Sequence, residues 1–168
     1  GQAPRRHRAR YRPRRSQGHL GGEADGFEPG GGRCHGARLP RGGRAVSNQL
    51  FATLERLAEN RDHVFYAFAD TPLLDQGLLR KMYANHLRYY VDYTFADGYP
   101  VGIAGEILRA EPITAMRRLA DEPAFAATSV ARDSLFEVIK RDINAFDLET
   151  EISAIDQRLL RVTYAVDR

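Results

Sequence analysis

The chain has 168 residues, with 25 basic and 22 acidic side chains, a net charge of +3 and a pI near 9.2. One Cys excludes a disulfide scaffold, the lack of a Gly-X-Y period excludes a collagen, and no apolar run approaches the roughly 18 residues of a membrane span. The charge is unevenly placed: residues 1–45 hold 11 Arg, no Lys and three acids, a net +8, whereas residues 46–168 carry −5.

Residues 1–45 also hold 11 of the 15 Gly, and Tyr11, Leu20, Phe27 and Leu39 follow neither a helical nor a strand period. Such a stretch cannot offset the entropy of ordering its backbone and reads as a disordered tail. Its Arg5-to-Arg15 run could grip phosphates, with Tyr11 free to stack, but the acidic body repels nucleic acid. The tail also has the composition of a GC-rich stretch translated outside its proper frame, which makes Val46 a candidate native start. Cys34 and His35 are adjacent, and two neighbouring ligands do not build a tetrahedral zinc site. No apolar core of a signal peptide follows the charges, and the single thiol fits a cytoplasmic protein.

From Ser47 onward the apolar spacing is helical, so the body, residues 46–168, reads as all-α. Leu50, Leu54 and Leu57 make a first stripe after a Ser47 cap; Val64, Phe65, Tyr66 and Phe68 make a short helix ending near Asp70. Thr71-Pro72 reads as the start of a longer helix carrying Leu78, Met82, Tyr83, His86, Leu87, Tyr90 and Val91 up to the Asp97-to-Pro100 turn. Val101, Ile103, Ile107 and Leu108 give another short helix, and Ile113, Met116 and Leu119 continue to Pro123. After Ser129 neither Gly nor Pro occurs, and Leu148, Ile152, Ile155, Leu159, Val162 and Val166 step by four and three. That spacing reads either as a heptad seam, which predicts a homodimer through residues 148–166, or as an amphipathic helix packed on its own domain.

Chemistry is sparse. There is no Gly-x-Ser-x-Gly, phosphate-binding Gly-rich loop or His-Glu-x-x-His, and the body holds no thiol nucleophile, so the reading is of a non-enzyme. His86 lies on an apolar stripe, where it is either a core imidazole bonded to backbone or a ligand; His63 reads as a surface residue. Asp92 with Asp97, and Glu106 with Glu111, read as solvated helix faces. Five of the eight Tyr fall between residues 83 and 99, which suits a polar pocket within an apolar core or an association surface.

The order Phe65-Tyr66, Thr71-Pro72, Lys81, His86, Phe95 and Tyr99, followed by a long terminal element, resembles the sensor domain of globin-coupled sensors over about residues 50–166. The resemblance implies a globin-like fold, haem as cofactor and oxygen or gas as ligand. Tyr66 would face the distal side beside Phe65, with Tyr90 and Tyr99 also in the pocket, and the last helix would relay the signal to an output domain absent from this chain. The family's proximal histidine precedes an Ile-Gly dipeptide; here Val101-Gly102 stands there, with Gly98 three places ahead and no His nearby, a departure from the family. The resemblance implies that His86 would line or ligate the haem pocket. The alternative is a haem-free helical module for dimerisation and protein interaction.

Overall fold

The computed structural model describes residues 46–126 and 128–166; the Arg-rich tail, residues 1–45, and the calls made on it lie outside the described residues. The body is not all-α and not globin-like. It is a mixed four-stranded sheet with helices packed on both faces.

Helix α1 (Ser47–Ala58) buries Leu50 and Leu54 of the expected stripe together with Phe51, while Leu57 is only half-buried. Ser47 does not cap its own helix: its amide and hydroxyl reach the Thr128 carbonyl at 2.9 and 3.2 Å and tie the start of α1 to a distant loop. Asn60, at φ 58°, turns the chain into β1 (His63–Tyr66), where a short apolar helix was expected. Helix α2 (Gln76–Tyr89) starts later than Thr71-Pro72 suggests, because Asp75 is the cap and accepts the Leu78 amide at 2.9 Å. Tyr90 ends it in the left-handed region at φ 53°, with its amide turned back to the carbonyls of the last turn.

Strands β2 (Tyr93–Asp97) and β3 (Glu106–Arg109) follow, the second where another helix was expected. Then come α3 (Ile113–Ala120), α4 (Pro123–Ala126), α5 (Ser134–Ile139), a 3-10 segment (Lys140–Ala145) and β4 (Leu148–Ile152). The sheet order is β1-β3-β2-β4. β3 runs antiparallel to β1 and β2, and β4 runs parallel to β2, so β1, β2 and β4 share one direction. Val64 opposite Leu108 and Tyr93 opposite Leu108 set the register.

The sheet is buried on both sides. Helices α1, α3 and α5 bring Phe51, Ile113, Met116, Leu135 and Ile139 onto Val64, Tyr93 and Leu108, and α2 brings Leu78 and Met82 onto Ile107 from the other side. Neighbours Ile107 and Leu108 are therefore both fully buried although they point to opposite faces. A strand covered on both faces reads as an unbroken apolar run, and over four residues such a run cannot be told from a helix by period.

The expected long last helix is replaced by α5, the 3-10 segment, β4 and an extended strap with one more 3-10 turn (Gln157–Leu160). Leu148 and Ile152 are four apart on one strand, a separation that a strand places on one face just as a helix does. Arg161, at φ 52°, breaks any helix beyond. The heptad seam over residues 148–166 is not helical, so no coiled coil forms there. Instead the strap follows the loop after β2: the amides of Ser153, Gln157 and Tyr164 donate to the carbonyls of Asp97, Gly98 and Val101 at 2.9, 2.8 and 2.7 Å. The Val166 amide then reaches the Asp70 carbonyl at 2.8 Å.

Candidate functional site

The carboxyl ends of parallel strands are where open α/β sheets place their ligands, because side chains and backbone groups from several loops converge there. In this sheet β1 and β2 end side by side with the start of β3 between them. A cleft of about 190 Å³ opens at that edge, walled by Tyr66 at the end of β1 and Phe68 after it, Tyr99 after β2, Gly105 and Glu106 entering β3, and Arg132.

Each wall has a local cause. Gly105 lets β3 start against β1, since a Cβ there would lie 2.9 Å from the Tyr66 carbonyl. Gly102, at φ 92°, sits beneath the strap, where a Cβ would come within 2.7 Å of the Ala165 amide nitrogen. Tyr66 opposes Glu106 across the β1–β3 ladder, so both side chains leave the sheet on the same face. Tyr93 occupies that face as well, with its ring stacked on Phe95 at 5.4 Å, and its hydroxyl donates to Glu106 Oε2 at 2.8 Å.

Glu106 is the chemically unusual group. Burial pushes its carboxyl up to about 7, Asp133 adds to the rise, and the Tyr93 hydrogen bond works against it. The Tyr66 phenol is raised, first by burial and then by the nearby Glu106, so it stays a neutral donor. At the rim, Arg132 pairs with Asp70 Oδ2 at 2.6 Å and lies 4.7 Å over the Phe68 ring. Asp70 Oδ1 is buried and has no hydrogen-bond partner among the described residues. The cleft thus joins a carboxyl that changes charge near neutrality, a neutral phenol and a guanidinium, the set needed to hold a small anionic molecule and exchange a proton with it.

The structure places the five residues of the haem reading in different surroundings. Tyr66 and Tyr99 line the cleft. Phe65 faces outward, tilted 5.3 Å from the Tyr83 ring, and Tyr90 is exposed under the Arg109 guanidinium at 4.3 Å. His86 is buried between α2 and the sheet with both ring nitrogens engaged, Nδ1 with Thr94 Oγ1 at 2.8 Å and Nε2 with His63 Nδ1 at 3.1 Å. No group of three or more His, Cys, Asp or Glu able to hold a metal occurs among the described residues. His63 is half-buried at the start of β1 rather than a surface residue.

Glu106, expected on a solvated helix face, instead enters the cleft and meets Tyr93, one of the clustered tyrosines that suit a polar pocket; Asp70 and Arg132 carry no signal in the sequence. The available signal was a lone carboxylate between Gly105 and the apolar pair Ile107-Leu108, since a charge inside an apolar run is costly unless its site uses it. Asp92 is also no solvated group: it is fully buried and paired with Arg109.

No family model matches the chain, and no solved structure matches it. An uncharacterized protein of Treponema pallidum (strain Nichols) is 37% identical over 60 residues, which is 36% of this chain and 27% of that protein. The matched stretch thus spans about a quarter of the relative's length. No helix of the described residues is long and apolar enough to cross a membrane.

Proposed function

We propose that residues 46–166 form the ligand-binding part of an α/β enzyme that takes up a small anionic molecule at the strand ends and moves a proton on it through Glu106. The observation that carries this reading is the Glu106 carboxyl, which lines the cleft, is held by Tyr93 and is poised to titrate near neutral pH. Arg132, oriented at the rim by its pair with Asp70, offers its remaining N–H groups to the ligand, and Tyr66 offers a neutral hydroxyl donor. The lone thiol of the chain fits a reducing, cytoplasmic setting.

Amide chemical shifts followed during titration with inorganic phosphate and with citrate test the proposal. Shifts should cluster at Gly102, Gly105 and Glu106 and weaken at least tenfold in Arg132→Met. Shifts scattered over the surface, or unchanged in that variant, would overturn it.

A second reading, a haem-free interaction module, is favoured by a separate observation: Ile155 and Leu159 on the strap are 74% and 82% exposed. It predicts a dimer in sedimentation that Ile155→Asp converts to monomers. If the wild-type chain sediments as a monomer, this reading falls.

A further inference from the structure

Glu106 meets groups from every element around it. Tyr66 stands opposite on β1, Tyr93 reaches it from β2, and Asp133 approaches from the start of α5. Tyr93 is the one whose geometry is fixed. It is 1% exposed, its ring is stacked on Phe95, and Phe95 in turn packs against Phe136 at 5.2 Å. A phenol buried to this degree and stacked on a ring that Phe136 braces in turn has little rotamer freedom, so its hydroxyl is delivered to one place. That place is Glu106 Oε2, at 2.8 Å, while Oε1 accepts no hydrogen bond from the described residues.

We infer that Tyr93 is the positioning residue of the site: it clamps Oε2 and so presents Oε1 to the cleft as the single oxygen that exchanges a proton with the ligand. The inference rests on the proposed role of Glu106. Tyr93 itself transfers no proton, since burial and the neighbouring carboxyl hold its phenol neutral. Its hydrogen bond favours the ionised carboxylate and opposes the rise that burial causes, which keeps the carboxyl within reach of neutral pH. Without the clamp the carboxyl is free to rotate, and both oxygens become equivalent.

The test is direct titration of the Glu106 carboxyl carbon by NMR in the full chain, with Glu106→Gln assigning the resonance. Tyr93→Phe should raise the midpoint by about one pH unit, the size expected for one hydrogen bond to a charged group. Because Tyr93 is buried, a second variant guards against a fold defect: 3-fluorotyrosine at position 93 keeps the shape, makes a stronger donor, and should lower the midpoint. A midpoint unmoved in both variants overturns the inference. A wild-type midpoint in the ordinary carboxylate range that still moves in these two directions would retain the clamp and sink the catalytic reading instead.

Discussion

His63 Nδ1 and His86 Nε2 stand 3.1 Å apart and share one hydrogen, which joins β1 to α2 across the sheet's covered face. Burial, then the nearness of His63 and of Arg109, depresses His86 to about 4. His63 is also lowered, mainly by burial, although Asp62 pulls the other way. An unfolded imidazole titrates near 6.5, so the unfolded chain takes the proton first as pH falls. The stabilisation from neutral His86 is complete above about pH 6.5 and fades towards pH 4, a loss of roughly 3 kcal/mol. Urea unfolding across that window should show a shallower acid slope in His86→Gln than in the wild type. Equal slopes would rule out this pair as the source.

Glu106 acts with the opposite sign. Its folded value, about 7, lies above the 4.5 of a free carboxyl, so its contribution is present below about pH 4.5 and is lost as pH rises through 7. Glu106→Gln should therefore be more stable than the wild type near pH 8, by up to roughly 3 kcal/mol, and indistinguishable from it near pH 4. Such a gain is the mark of a group kept at a cost to stability. A variant less stable near pH 8 would show that the carboxylate is well solvated there.

Asp92 and Arg109 form an ion pair with side chains 0% and 6% exposed, and Asp92 Oδ2 also accepts the Asp147 amide at 3.0 Å. Removing one partner strands a buried charge, so Asp92→Ala should cost about 3–5 kcal/mol by thermal or urea unfolding. The double variant Asp92→Ala with Arg109→Met should lose less than the sum of the single losses, because no charge is left unpaired. Additive losses would mean that the two side chains stabilise the fold independently.

Gly102→Ala combines an unfavourable φ of 92° with a Cβ placed 2.7 Å from the Ala165 amide nitrogen. The strap must lift, at a cost above about 1 kcal/mol. Trypsin should then cut after Arg158 and Arg161 several-fold faster than in the wild type, as read by mass spectrometry of timed digests. Unchanged cleavage would show that the strap is not held at Gly102.

Helices α1, α2 and α3 were legible because each repeats its apolar positions over two or more turns: Leu50 and Leu54, Leu78 and Met82, Ile113 and Met116 are all buried as their spacing implies. The strands were not legible. His63–Tyr66 and Glu106–Arg109 are each four residues long: Glu106–Arg109 is covered on both sides and shows no alternation, and in His63–Tyr66 the alternation of buried Val64 with exposed Phe65 is too short to be told from a helix. The absence of Gly and Pro after Ser129 suggested continuity, yet the chain there breaks at Asp142, whose φ and ψ are −145° and 58°, and again at Arg161. The site escaped notice for a related reason. Tyr93 and Glu106 meet only through the pairing of β2 with β3, and no spacing along the chain records a contact between strands.

The strap gives the cleft a timetable. Its rim is tied by the Val166 amide to the Asp70 carbonyl, and β4 reaches β2 only after α3, α4 and α5 have been laid down between them. Contacts so distant along the chain form late. During synthesis, Tyr66, Glu106 and Arg132 leave the ribosome before the segment that secures their surroundings, so a nascent chain would carry the acid and the guanidinium without those ties until residues 153–166 have emerged.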